Sequence, residues 1–199
     1  MRIDSFLYLY PEKPVLVPPR TILIDRLSED PRFIAEKKYN GSRLLLHFID
    51  NDWRFFNRHG KEFRFVPDMD LGIALAKLAL KLHGYWLFDG ELRNNKVPGV
   101  KQKMILWDVF IMENILLQGP FWHRRRHLEA LLETEAEPLG VTKQYPDQFR
   151  GVFSDVIQDK EIEGLVMKNL DGTLNLSRTS NQDSAWQFKI RRPNNSYRY

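Results

Sequence analysis

The stretch Glu36-Lys37-Lys38-Tyr39-Asn40-Gly41-Ser42-Arg43-Leu44-Leu45-Leu46-His47-Phe48-Ile49 decides the fold, together with Asp50-Asn51-Asp52 and Trp53-Arg54-Phe55-Phe56-Asn57 behind it. Arg43 to Ile49 and Trp53 to Asn57 are rich in strand-forming side chains, so the Asp/Asn cluster between them reads as a hairpin turn. Asn40-Gly41 supplies another turn in front, because both residues tolerate positive φ. Lys38 then stands where a strand runs into a turn. That arrangement has a plain reading, a solvated hairpin loop. It also has a functional one: a lysine amine exposed on a strand-ending turn, with Arg43 placed to meet a ribose or phosphate.

Outward from this hairpin the chain alternates irregularly between helix and strand signals. Leu71, Ala74, Leu75, Leu78, Ala79 and Leu82 recur at helical spacing, with Asp68 or Asp70 to cap the start and Gly84 to end it. Tyr85 to Leu92 and Lys103 to Met112 read as buried strands. A second helix is expected from about Trp122 to Glu135, with Leu128, Leu131 and Leu132 on one face. After Pro146 a further helix is expected, then strands at Gly164 to Met167 and Trp186 to Ile190. Pro11, Pro14, Pro18 and Pro19 predict an extended leader of irregular structure or edge strands. Strands and helices do not interleave regularly, so the fold class is α+β and not a doubly wound parallel sheet.

Composition narrows the function classes. The chain has 199 residues, 13% of them aromatic, enough to bury a core and to argue against disorder. It has no cysteine, hence no disulfide framework and no thiolate nucleophile or metal ligand. That fits a reducing compartment. The longest apolar run, Leu71 to Leu82, is broken by Lys77 and Lys81 and is too short to span a bilayer. The N-terminus, with Asp4 inside any apolar region, lacks a secretory pattern. The expected location is cytoplasmic, or inside a virus-infected host cell, with no membrane partner. Net charge is +4 and the pI is about 9.2, which permits a nucleic-acid partner without requiring one.

Common nucleotide motifs are absent: there is neither a GxxxxGK[ST] loop nor a GxGxxG. His123 and His127 share a helix face, but three arginines separate them and no third ligand is indicated, so a basic helix face is the better reading. Three other stretches carry chemistry. Phe88-Asp89-Gly90-Glu91-Leu92 reads as a carboxylate pair on a tight turn leaving an apolar strand. Glu161-Ile162-Glu163-Gly164-Leu165-Val166-Met167-Lys168 runs from acid through glycine and strand to lysine. In Trp186-Gln187-Phe188-Lys189-Ile190-Arg191, alternation puts Lys189 and Arg191 on one strand face. Each has a dull explanation, since strand ends carry Asp-Gly turns and basic residues line sheet faces. Together they offer a nucleophilic lysine, two separated acids suited to Mg²⁺ and two cations suited to a phosphate, the set that phosphoryl or nucleotidyl transfer needs.

In that order the motifs resemble the nucleotidyltransferase domains of ATP-dependent polynucleotide ligases and mRNA capping enzymes, most closely the small viral-type DNA ligases. Lys38-Tyr39-Asn40-Gly41-Ser42-Arg43 is similar to the family's Lys-x-Asp-Gly-x-Arg. Asn57-Arg58-His59-Gly60 resembles its Ser-Arg-x-Gly element, and Asp89-Gly90-Glu91-Leu92 is its Asp-Gly-Glu-Leu motif intact. Leu106-Trp107-Asp108-Val109-Phe110 matches an aromatic before Asp, and Glu163 to Lys168 matches Glu-Gly-apolar-Val-x-Lys. Asn169-Leu170-Asp171-Gly172 follows as in many phage ligases. Lys189-Ile190-Arg191 stands for the final Lys-x-Lys, although Gln187-Phe188-Lys189 is an alternative register. The resemblance spans residues 38 to 191. It implies one adenylation domain over residues 1–199, with antiparallel sheets flanked by helices in an ATP-grasp-like arrangement and no OB-fold domain in this chain. An OB-fold domain, separate or removed, would then be a partner.

The resemblance also implies roles. The Lys38 amine would attack the α-phosphorus of ATP to give lysyl-AMP, with its pKa lowered by Mg²⁺, Lys189 and Arg191, and the last two would offset phosphate charge. Glu91 and Glu163 would contact ribose and hold Mg²⁺. Arg43 and Arg58 would hold ribose or the 5′-phosphate of a nick, and Lys168 belongs to the nucleotide site. Trp107 would stack on adenine, unless it is a plain core residue, while Glu36 or the backbone near Lys37 would read the exocyclic amine. The adenylate would pass to a 5′-phosphate and a 3′-hydroxyl would seal the strand, as in DNA repair or replication. Asn40 replaces the usual Asp and Arg191 the second Lys. Arg124, Arg125 and Arg126 read first as a solvated helix face. DNA ligase leads; RNA ligase and a non-catalytic nucleic-acid-binding relative are the alternatives, and a capping guanylyltransferase ranks lower.

Overall fold

The computed structural model describes residues 1–3, 5–19, 22–93, 101–175, 177 and 179–192; Asp4 and the tail after 192 lie outside them. In chain order the elements are β1 (Lys13–Leu16), α1 (Ile22–Glu29), β2 (Phe33–Tyr39), β3 (Ser42–Ile49), β4 (Asp52–Asn57), α2 (Met69–Ala79) and β5 (Trp86–Arg93). Then come β6 (Lys103–Met112), β7 (Ile115–Leu116), α3 (Phe121–Leu131), β8 (Leu139–Val141), β9 (Gln144–Tyr145), α4 (Phe149–Val156), β10 (Ile162–Asn169) and β11 (Asp183–Arg191). They form two sheets. The first has the order β1-β11-β10-β2-β9; the second runs β4-β3-β5-β6-β7, with β8 added on β6. Most pairings are antiparallel, as expected of an α+β chain, but β1 joins β11 and β8 joins β6 in parallel.

The β3–β4 hairpin forms where the Asp/Asn cluster predicts it. Asp50 and Asn51 adopt φ of 53° and 62°, the left-handed conformations that a tight hairpin turn needs. Asp68 caps α2 by accepting the Leu71 N–H at 3.0 Å. The helix ends at Ala79, ahead of the expected Gly84. The helix expected over 122–135 is shorter, stopping at Leu131. The short α1 goes beyond the sequence reading, as does the extent of β2, of which the sequence reading placed only the end at Lys38. No helix among the described residues is long and apolar enough to cross a membrane.

Alternation within each strand sorts its side chains. In the first sheet Phe33, Ala35, Leu165, Met167 and Ile190 pack against Ile24 and Leu27 of α1 and Phe149 and Phe153 of α4. The opposite parity carries Glu36, Lys38, Val166, Lys168, Gln187, Lys189 and Arg191. In the second sheet Leu44, Leu46 and Phe88 bury against Leu71, Leu75 and Leu78 of α2 and Leu128 of α3. Each such side chain contributes roughly 1.5–3 kcal/mol. The other face of this sheet is covered in part by the N-terminal leader, through Ile3 and Leu9 against Leu45, Leu87 and Phe110. Beyond the leader this face continues into Arg43, Asp89 and Glu91.

Two expectations need correction. Asp89-Gly90 is no turn: both residues lie inside the fully buried β5. A Cβ on Gly90 would stand 2.5 Å from the Ile105 carbonyl, so glycine is there to let β6 approach. The arginine run of α3 is not a solvated face either. Arg124 is 0% exposed and grips Asp108 with two hydrogen bonds, Nε to Oδ1 at 2.8 Å and Nη2 to Oδ2 at 2.9 Å, while Nη1 donates to the Gly119 carbonyl at 2.6 Å. Arg125 is buried as well; only Arg126 is exposed. The local sequence is polar, but the partners that neutralise these cations come from distant strands. Removing one member of such a pair strands a desolvated charge. Asp108→Ala is therefore expected to lower stability by about 3–5 kcal/mol, read from urea unfolding followed by circular dichroism.

Candidate active site

The two sheets face each other across a cleft of about 460 Å³. Residues 40 and 41 carry the chain from one sheet to the other. Gly41 is required there, because a Cβ would lie 2.5 Å from the Leu92 carbonyl and 2.8 Å from Glu91 Cγ. The cleft gathers Glu36, Lys37, Lys38, Glu163, Lys168, Lys189 and Arg191 from the first sheet, and Arg43, Glu91 and Trp107 from the second, with Arg58 just after β4. All eleven residues singled out in the sequence line this one space. Lys189, Arg191 and Gln187 share strand parity and all three face it, which brings both registers of the last motif to the cleft.

Lys38 Nζ donates to Glu163 Oε2 at 2.5 Å, and Arg191 Nη2 lies 3.4 Å from the same oxygen. The strand pairing explains this meeting: Gly164 sits opposite both Lys38 on β2 and Arg191 on β11. A Cβ at Gly164 would strike the Ile190 carbonyl, so glycine closes the three strands tightly around the lysine. Lys189 has no ion-pair partner among the described residues. Burial, and then the charges of Arg191 and Lys38, push its pKa down to about 8.

From the second sheet, Arg43 is held rigidly. Its Nε and Nη2 donate to Asp89 Oδ1 and Oδ2 at 2.9 and 2.5 Å, and Nη1 donates to the Glu12 carbonyl at 2.8 Å. Glu91, directly across from Arg43, is buried, and burial pushes its carboxyl up to about 7; Lys38 and Arg43 oppose the rise, while Glu163 and Asp89 add to it. Trp107 is only half-buried, its ring 5.9 Å from the Arg43 guanidinium and 5.8 Å from Lys168 Nζ. It turns toward the cleft, while Asp108, its neighbour, turns into the core.

Glu36 lies deeper. Its Oε1 accepts from Arg125 Nη1 at 3.1 Å and Gln144 Nε2 at 3.2 Å, and its Oε2 is 2.6 Å from Lys168 Nζ. Arg125 also donates to the Thr142 carbonyl and to Glu129. The Lys37 amine is taken by Glu135 at 2.6 Å, outweighing the lowering by burial, so its pKa is raised. Arg58 is exposed beside His59 at the rim. Lys13 and Phe63, which the sequence analysis did not single out, also line the cleft, as do Val166 and Gln187, which it quoted within motifs without giving them a role. Alternation with Lys168 and Lys189 would have found Val166 and Gln187; nothing local points to Phe63. Among the described residues no three His, Cys, Asp or Glu side chains converge as a metal cluster.

The fold is that of ligase-type nucleotidyltransferase domains. Comparison with solved structures agrees. A mycobacterial DNA ligase D in complex with ATP and MES superposes over 94% of this chain and 61% of its own, with a TM-score of 0.66 and 18% identity. An archaeal ATP-dependent RNA ligase superposes over 90% of this chain and 48% of its own, with a TM-score of 0.51 and 16% identity. In sequence, DNA ligase 4 of Neurospora crassa is 31% identical over 90 residues, 42% of this chain and 8% of that protein. The chain thus spans less than two thirds of each of these relatives. No family model matches it.

The position of Glu91 has a pH signature. Its carboxyl binds a proton more tightly in the fold, at about 7, than at the ordinary 4.5, so the folded state loses stability as pH rises between these values. Without added metal, the wild type is expected to lose about 3 kcal/mol over this window relative to Glu91→Gln. Urea unfolding of both proteins across the pH range measures the difference.

Proposed function

We propose that this chain is the adenylyl-transfer core of an ATP-dependent polynucleotide ligase acting on nicked DNA. One observation carries the reading: residues scattered from 36 to 191 in the order of the ligase motifs line a single cleft around Lys38 Nζ. The fold shared with the mycobacterial ligase in complex with ATP supports it.

In this reading the Lys38 amine attacks the α-phosphorus of ATP. The N–P bond forms as the bond to pyrophosphate breaks, and the ammonium proton leaves along the hydrogen bond to Glu163. Lys189 and Arg191, on the same strand face, offset charge on the α-phosphate as it becomes five-coordinate. Trp107 offers a face for adenine. Glu36, fixed by Arg125 and Lys168, offers a carboxylate to its exocyclic amine, which favours adenine over a base presenting a carbonyl there. Arg43, locked by Asp89, meets the ribose, and exposed Arg58 is free to engage the 5′-phosphate of the nick. The adenylate then passes to that phosphate, and the 3′-hydroxyl displaces AMP. An OB-fold domain, on this polypeptide or another, would close the cleft over the nucleotide.

Glu91 and Glu163 are the residues that would hold Mg²⁺. Two carboxylates fit this ion, which binds through one or two of them and completes its shell with water and phosphate oxygens. When bound it would supply charge neutralisation on the phosphates. Incubation with labelled ATP is expected to leave AMP on Lys38, located by mass spectrometry. Lys38→Ala should abolish the label, and Glu163→Gln should slow its formation by about a hundred-fold or more. GTP should give no label.

RNA ligase is the second reading, favoured by the likeness to the archaeal enzyme. Parallel sealing assays on nicked DNA and nicked RNA duplexes separate the two, and faster sealing of DNA is expected. With a net charge of only +4, binding to nicked DNA should be weak and should fall steeply as salt is raised.

A further inference from the structure

The leader crosses both sheets, and Glu12 is where it is tied to each. At the start of the chain it belongs to the second sheet: Leu116 N–H donates to the Met1 carbonyl, and Tyr85 Oη donates to the Leu7 carbonyl at 3.1 Å. Tyr8 Oη then donates to the Asn57 carbonyl at 2.7 Å, next to Arg58. From Lys13 onward the leader is β1 of the first sheet, paired with β11 up to Leu16 opposite Lys189. Glu12 lies between these parts and is 4% exposed.

Its main-chain carbonyl accepts Arg43 Nη1 at 2.8 Å. Its carboxylate turns the other way. Oε2 accepts Trp186 Nε1 at 2.8 Å and Ser184 Oγ at 3.3 Å, both from β11, the strand of Lys189 and Arg191. Trp186 is itself closely packed. Its ring fills the space where a Cβ on Gly172 would be, at 2.3 Å, and lies 5.6 Å from the Arg124 guanidinium. One residue therefore touches the arginine of one sheet through its backbone and the basic strand of the other through its side chain.

We propose that Glu12 is a positioning residue for adenylyl transfer: it sets the distance between Arg43 on one wall of the cleft and the Lys189–Arg191 strand on the other. This rests on the ligase reading above. Burying a carboxylate to accept from an indole and a hydroxyl costs free energy unless those bonds are made. Burial raises the Glu12 pKa, and the bonds from Trp186 and Ser184 oppose the rise. Losing the side chain leaves Trp186 Nε1 unpartnered and frees the leader at the point where its backbone holds Arg43. The adenine-facing groups Glu36, Lys168 and Trp107 are not touched by this change.

Two measurements test the inference. In single-turnover adenylation with labelled ATP, Glu12→Ala should lower the maximal rate by about ten-fold or more, with half-saturating ATP changed by less than about three-fold. Glu12→Gln, which keeps an acceptor oxygen for Trp186, should restore most of the rate. A core variant away from the cleft, Leu78→Ala, serves as the control for lost stability. The second measurement needs no turnover. In isotope-labelled protein the Trp186 Nε1–H resonance should shift in Glu12→Ala, and exchange of the Arg43 Nε–H with water should accelerate. A wild-type rate in Glu12→Ala overturns the proposal. So does equal slowing in Leu78→Ala, or an unchanged Arg43 exchange rate. A wild-type protein that takes up no label overturns the ligase reading instead, and the Arg43 exchange rate still decides whether Glu12 ties the two walls together.

Discussion

Two adjacent arginines on α3 join the halves of this molecule. Arg124 reaches Asp108 on the second sheet, and Arg125 reaches Glu36 on the first. Both cations and both carboxylates are buried. An ion pair taken out of water survives only when its geometry is good and its remaining donors are used. Here they are: Arg124 adds carbonyls at Gly119 and Gly172, and Arg125 adds Thr142 and Glu129. Since helical neighbours project about 100° apart, one turn of helix can serve two sheets that do not hydrogen-bond to each other. This brace ties both sheets to the same turn of α3.

The charge pattern of the cleft is graded. Cations cluster where the strands β10 and β11 run beside Lys38, yet three of the carboxylates nearby are already committed. Glu163 is shared by Lys38 and Arg191, Asp89 serves Arg43, and Glu36 is surrounded by Arg125 and Lys168. Lys189 is left without a carboxylate among the described residues, so an incoming anion finds a cation whose attraction is not already spent on the protein. Glu91, buried and with its carboxyl pushed up, sits where a cation would relieve it.

Much of the fold was legible because it is written in local patterns. The β3–β4 hairpin followed from Asp50 and Asn51, α2 from its leucine period and Asp68, and β6 from an apolar run broken only by Asp108. The clustering of the site residues was legible from motif order. What stayed hidden depends on contacts between distant residues. Asp89 and Gly90 are turn formers by composition, but Arg43 claims the aspartate and β6 needs the missing Cβ of the glycine. The HRRRH stretch of α3 is polar in every local respect; its acids lie 16 and 89 residues away. The same holds for Glu12, whose partners Ser184 and Trp186 are 172 and 174 residues further along.

The parallel pairing of β1 with β11 has a consequence for how the molecule is made. On the ribosome the second sheet can assemble early, since β3 through β6 are neighbours both in sequence and in space. The first sheet cannot. Its strand β1 is synthesised well before β11 and must wait, unpaired, for it. Contacts of such long sequence separation form slowly. A nascent chain therefore holds the second-sheet wall of the cleft before β11 has emerged to join β1 and β10. Pro14, inside β1, denies that waiting strand one backbone donor and makes it a poor template for pairing with another copy.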